Sequence, residues 1–475
     1  MKSKGSSGIE APITRRNFLG TAAKAASAAV LGPSLFSIGT AFAAGPFVRR
    51  DVGGLSVSDP ILISYANAIK AMQALPSNNP LSWSYQAAVH GTTVTPALTA
   101  WNTCEHGTYF FWSWHRMYVY WFERIIRKMS ADSGWALPYW NWTAPGERQL
   151  PPAFRDTTSQ LYTPQRNPAM NSGAGSLPAT YVDYSSAFAF TDFTGASSSL
   201  EGTPHGAVHV GVGGWMGSVP TAAQDPIFYL HHCNIDRLWN LWLAQGGGRV
   251  DPLNDATWKS TPFTFFDENG AQVKMTGCDV LRATQQLNYS YEGEPTEINQ
   301  FCDAKIRRPP LILKRVKLLH LPIPELILKA EPVSYLLDIK PLRKRLVSII
   351  ENKSETLLLE LDGVEAERQP GVVWEVYVGL SPDAKLDAES PSYVGNVVLF
   401  GAGIRSEAHN EFKPAHFAFR IGRAIASSLK AQEDRLPVTF VARGILVDGK
   451  QVQPKVESQV RVGEISLSVE RQERQ

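Results

Sequence analysis

The histidines limit what this chain can fold into more than any other residues do. Seven of its ten His lie between His90 and His232, and twelve of the thirteen Trp come before residue 259. Two stretches there place aromatic and apolar residues at helical spacing. One is GTYFFWSWHRMYVYWFERIIRKMS at 107–130, which contains His115 and ends on a basic turn. The other runs from Asp225 to Gln245, contains His231 and His232, and stops at Gly246-Gly247-Gly248. A further helix is expected from Pro60 to Leu75 after a strand-like start at Val48. Residues 145–200, full of Ser, Thr, Pro and Gly, read as a long irregular excursion.

One His on an apolar face is ordinarily a core residue, but seven among so many aromatics are not explained that way. They divide into two groups of three: His90, His106 and His115, then His205, His209 and His232, with His231 adjacent. His205 and His209 are four apart, so a helix puts both rings on one face, where they can share an ion. Ligands pointing inward from facing helices are what a helix-bundle metal site requires. Neutral imidazoles with no carboxylate at a ligand position suit copper better than magnesium or calcium. HGAVH at 205–209 has the two-His spacing of zinc proteases but lacks their Glu at the second position. A single zinc would also leave half the His without a role.

At 475 residues the chain is too long for one ordinary core. A 44% apolar and 19% charged composition excludes a disordered chain, and a net charge of +2 argues against a nucleic-acid partner. The reading is a mainly α catalytic domain over 44–295, a four-helix bundle around a binuclear copper site. A basic linker follows at 296–333, with Pro at 309, 310, 322 and 324. Alternating runs such as VWEVYVGL and VTFVARGILV then make 334–475 a β-rich, sandwich-like C-terminal domain. Cys278 and Cys302 could pair in an oxidising compartment. At the start, Arg15-Arg16, an Ala-rich run and Ala41-Phe42-Ala43 read as a twin-arginine signal peptide over 1–43. Lys24, Pro33 and several Gly make that run a poor membrane span, so no stable membrane insertion is expected. The expected location is periplasmic or secreted.

Longer motifs carry a specific resemblance. HGTYFFWSWHRMYVYWFERI resembles the first copper signature of the tyrosinase and polyphenol oxidase (catechol oxidase) family of type 3 copper proteins, and DPIFYLHHCNIDRLWNLW resembles the second. ALPYWNW, LEGTPHGAVH and Tyr289-Ser290-Tyr291 are similar to plant-type members; beyond 292 the likeness is looser, through KLDAESPSYVGNVVLF and VTFVARGI. The resemblance implies two copper ions, the first on His90, His106 and His115, the second on His205, His209 and His232, with His231 outside the ligand set. It implies small phenolic substrates, O2 as co-substrate, and oxidation of o-diphenols to o-quinones. It also implies a thioether from Cys104 to His106 and a water held by Glu201. Gly206 stands where monophenol hydroxylases have Asn, so diphenol oxidation should exceed monophenol hydroxylation. Val219 stands where plant enzymes have a Phe over the second copper, implying a wider mouth. Asp236 and Arg237 look like orienting or packing groups. The C-terminal part should cover the site and keep the enzyme latent, with a plug near Val398 to Phe400 and a processing protease acting on the basic stretch. His320, His409 and His416 read as ordinary His. A tyrosinase with substantial monophenol hydroxylation, a specialised o-aminophenol oxidase and an oxygen-binding haemocyanin-like protein are the alternatives.

Overall fold

In the computed structural model, which describes residues 46–294, 312–352, 354–380, 386, 389–405 and 412–473, helix starts follow their caps. Asp59 accepts from the Ile61 N–H and Pro60 needs no donor at the first position of α1 (Pro60–Gln73). Ser82 caps α2 (Trp83–His90) through the Tyr85 N–H at 3.1 Å. Helix α3 (Phe111–Ser130) is buried around most of its circumference and ends with Arg127 and Lys128, favourable with the helix dipole. The irregular excursion is pinned by Arg166, buried and bidentate to Asp225 at 2.7 and 2.6 Å. It closes in a helix that the sequence pattern did not announce, α4 (Phe193–Leu200). A widened turn at Glu201–Gly206, with Thr203 extended ahead of Pro204, leads into α5 (Ala207–Val212). Helix α6 (Ile227–Ala244) packs against α3, which also packs on α1.

Charge pairing ties the start of this region to its end. Strand β1 (Phe47–Arg49) runs parallel to β2 (Tyr289–Tyr291), with Arg49 opposite Tyr291. Arg49 bonds Glu123 at 2.7 Å and Asp236 at 3.1 Å, and Asp236 also accepts from Arg116, Tyr289 and Tyr291. Burial pushes the Asp236 carboxyl up, but Arg116 and Arg49 outweigh it and hold it below the usual range. Asp236 is therefore a packing hub, and Arg237 pairs with Glu294 at the rim. Removing one partner of a buried network strands a charge, so Arg49→Met is expected to cost about 3–5 kcal/mol. A denaturant midpoint within a few per cent of wild type would contradict this.

The C-terminal part holds β3 (Ile312–Leu328), β4 (Val333–Asp338), β5 (Glu355–Ala366), β6 (Val373–Val378), β7 (Tyr393–Val397), β8 (Ala415–Arg420), β9 (Arg435–Arg443) and β10 (Val460–Glu473). They form two four-stranded antiparallel sheets, in the orders β7-β6-β9-β4 and β8-β5-β10-β3. Leu359, Leu361, Val376, Phe440, Ile465 and Leu467 fill a core of their own. One expectation needs correction here. The stretch read as a basic linker is, from Ile312 to Leu328, strand β3. Proline is tolerated because β3 ends the sheet order, and its basic residues are cross-strand partners: Arg315 of Glu360 and Glu470, Lys317 of Glu464. Beyond the linker, Arg343–Glu351 is a further helix, α7. The described part of the expected cleavage region is thus mostly regular structure.

Residues 1–45, with the expected export signal, lie outside the described residues, as do 295–311 and His409. Cys278 is disulfide-bonded; Cys302, the partner the sequence offers, is also outside them. No described helix is long and apolar enough to cross a membrane. Val373, Val398, Phe400 and Ile445 belong to the aromatic core of the helical region rather than to that of the sheets.

Candidate metal centre

Seven imidazoles converge where α2, α3, α5 and α6 meet. His90 ends α2, His115 lies in the second turn of α3, His209 is on α5, and His231 and His232 are on α6. His106 precedes α3, and His205 sits in the widened turn. His90, His106 and His115 have ring centres 5.2, 5.8 and 5.2 Å apart. His205, His209 and His232 form a second trio at 4.6, 5.1 and 5.5 Å. The trios face each other, with His115 stacked on His232 at 4.4 Å and 10°.

The backbone sets the tautomers. Nδ1 donates to the carbonyl of Val219 from His90 (3.1 Å), of Phe111 from His115 (2.8 Å), of Glu201 from His205 (2.9 Å) and of Met216 from His209 (2.8 Å). A carbonyl only accepts, so each ring keeps its proton on Nδ1 and a lone pair on Nε2. The buried Nε2 atoms of His115 and His205 have no hydrogen-bond partner among the described residues. His209 Nε2 lies 3.3 Å from His232 Nε2. Burial pulls the His115 and His231 pKa values down to about 3, and it pulls His205, His209 and His232 well below the ordinary value, helped by their like neighbours. These rings are neutral, and those of His90, His115, His205 and His209 are oriented by their second ring nitrogen as metal-bound His are. Two His-rich clusters of this kind fit two copper ions. His231 differs, because its Nδ1 accepts from the Trp142 indole N–H at 3.1 Å.

Around the trios, Cys104 Sγ is 3.3 Å from His106 Nδ1. Glu201 is buried, with Oε1 accepting from the Gly107 N–H at 2.7 Å. Burial pushes its carboxyl up to about 8, against the pull of that N–H and with a push from Glu105. It lines a cavity of about 580 Å3 together with His106, Glu105, Phe400 and Phe412. Phe400 stacks on His209 at 3.9 Å and 12°, and lies 5.4 Å from His205 and 5.8 Å from His106. The loop holding it needs glycine: a Cβ on Gly401, at φ +79°, would fall 2.5 Å from His106 Cγ. A Cβ on Gly206 would touch Val398 at 3.2 Å and Phe400 at 3.3 Å. Val219 is not a mouth residue; it is 1% exposed, and its carbonyl holds His90. The sequence reading missed the carbonyls of Val219 and Met216 and the Trp142 indole as orienting groups. Backbone atoms carry no letter, and ALPYWNW signalled only burial.

Residues 80–180 and 163–245 match the family described as the common central domain of tyrosinase, and 252–301 the polyphenol oxidase middle domain. Tyrosinase HcTyr1 of Hahella sp. (strain CCB-MM4) is 36% identical over 288 residues, 50% of this chain and 61% of that protein. Aureusidin synthase of Antirrhinum majus is 28% identical over 400 residues, 72% of this chain and 69% of that one. The latent chloroplastic polyphenol oxidase of Prunus armeniaca is 32% identical over 296 residues, 52% and 48%. The chain thus matches less than two thirds of the length of the first and third. Latent apple tyrosinase shares the fold over 90% of this chain and 97% of its own, with a TM-score of 0.62 at 22% identity. Latent aurone synthase does so over 90% of each, at 0.64 and 21%. The central-domain match spans all seven converging His, and relatives lie on both the bacterial and the plant side. On those grounds residues 80–301 belong to the tyrosinase and polyphenol oxidase family of type 3 copper proteins.

Proposed function

We propose that this chain is a copper- and O2-dependent oxidase of small phenols that turns o-diphenols into o-quinones. The observation that carries this is the facing pair of His trios, with four of the six ring protons committed to carbonyls. His90, His106 and His115 would hold one copper, and His205, His209 and His232 the other. When bound, the two ions supply O2 binding and the electron transfer. The protein keeps the imidazoles neutral, excludes water with aromatic walls, and offers His209 as a face on which a phenol ring can stack. The test is to load the purified chain with copper and follow quinone formation from catechol under O2. Fewer than two coppers per chain, or no quinone, would overturn the reading.

Diphenols are the preferred substrates. A monophenol must lose its proton while docking, and Glu201 is the buried carboxyl beside the site. With its pKa near 8 it holds its own proton at neutral pH and becomes a base only above that. Gly206 adds no polar side chain. Monophenol hydroxylation should therefore climb as pH rises through about 8 in the wild type. In Glu201→Gln that climb should vanish and the rate fall about 10²-fold, with catechol oxidation changed far less. Equal losses on both substrates would assign Glu201 a structural role only.

Three readings accompany this one. The resting enzyme is latent, since Phe400 already occupies the stacking face of His209. Cys104 Sγ becomes joined by a thioether to a ring carbon of His106, with O2, the co-substrate, as the two-electron oxidant that takes up the two hydrogens; the approach of Sγ to the ring supports this, and intact mass lowered by two hydrogens checks it. Export follows the twin-arginine route, on the strength of Arg15-Arg16 and Ala41-Phe42-Ala43.

A further inference from the structure

Four imidazoles, of His205, His209, His231 and His232, bring one ring nitrogen each to within 4.8 Å of the others. A copper ion on this side, under the reading above, is to be held by three of them. Proximity alone does not choose the three, because His231 and His232 are adjacent on α6 and both fully buried. A fourth imidazole competing for the ion would pull it out of register with its neighbour.

Hydrogen bonding makes the choice. Indole N–H is a donor only, so the Nδ1 of His231 must use its lone pair to accept from Trp142. A neutral imidazole whose Nδ1 accepts carries its proton on Nε2. Both ring nitrogens of His231 are then closed to a metal, Nδ1 by Trp142 and Nε2 by its own proton. The Nε2 atom is buried and has no partner among the described residues, so no other contact there would hold the opposite tautomer. Trp142 itself is fully buried in the ALPYWNW segment, which fixes where the indole points. The rings of His90, His115, His205 and His209 show the reverse arrangement, with a carbonyl on Nδ1 and a lone pair on Nε2.

We propose that Trp142 is a positioning residue of the metal centre: by donating to His231 Nδ1 it locks His231 in a tautomer that cannot ligate, leaving His205, His209 and His232 to hold the ion. This rests on the copper reading of the site.

The test uses the full chain and copper alone as probe. Metal content, competition with a chelator and the electron paramagnetic resonance of the oxidised form are the readouts. In wild type, two coppers bind as a coupled pair that gives little resonance signal. In Trp142→Phe, His231 is released to compete. One copper should then be held about 10- to 100-fold less tightly, and an uncoupled copper signal should appear. Adding His231→Phe to that variant removes the competitor and should restore both the second copper and the silent spectrum. If Trp142 acts only through packing, the double variant will stay defective and the proposal falls. Should Trp142→Phe not fold, His231→Phe alone decides: two tightly held coppers support the proposal, and loss of one overturns it. A wild-type chain that fails to bind two coppers would instead sink the copper reading, so the two failures are distinguishable.

Discussion

A Phe400→Ala chain loaded with copper should oxidise catechol about tenfold faster than wild type at low substrate concentration, with the gain in KM and not in kcat. The reason is competition for one surface. Phe400 lies parallel to the His209 ring at 3.9 Å, where an incoming phenol ring would have to stack. Such stacking contributes about 0.5–1.5 kcal/mol beyond area burial, close to the 1.4 kcal/mol that a factor of ten represents. The ring is tethered, so it rebinds after every opening at an effective concentration no free substrate easily matches. Alanine removes the competitor but leaves Val398 and Gly401 in place against Gly206 and His106, so activation by this substitution is partial. A protease site engineered into 295–311, then cut, should activate further only once mild denaturant loosens the sheets. Val373, Val398 and Ile445 contribute to the helical core and hold the cut pieces together. An unchanged KM in Phe400→Ala would refute the plug.

Why was so much of the site readable from the sequence? The helices α3 and α6 declare themselves by aromatic residues at helical spacing, and His205 and His209 fall on one face by simple arithmetic. Burial of their rings follows from their neighbours. Other parts carry no such signal. Strand β3 has the prolines and basic residues of a linker, and only its place at the sheet edge, which is a tertiary fact, makes them acceptable. Val219 looked like an entrance residue because its neighbours align with one. What it contributes is a carbonyl to His90, and any residue would offer that atom. The raised pKa of Glu201 needed burial from the surrounding fold, and the meaning of Gly206 needed the loop from 398 to 401 that lies on it.

His209→Ala should reduce copper from two ions to one and suppress catechol oxidation by more than about 10³-fold, since a metal centre supplies several kcal/mol of the catalysed path. The loss should be specific. His209 is bonded at Nδ1 to the Met216 carbonyl and stacked under Phe400, so its removal leaves a buried acceptor unpaired and a plug without its platform. Stability of the metal-free chain should fall by about 1–3 kcal/mol, the cost of one unsatisfied buried group. The larger change should be in the copper-loaded chain, because metal that binds only the folded state stabilises it in proportion to its affinity. His320→Ala is the matched control. That ring is exposed and paired with Glu464 on the sheet face, so both coppers and full activity should survive. If instead His209→Ala kept two coppers, the second trio would have to be drawn from His205, His231 and His232. The tautomer imposed on His231 by Trp142 argues against that, because it leaves no ring nitrogen there with a lone pair to give.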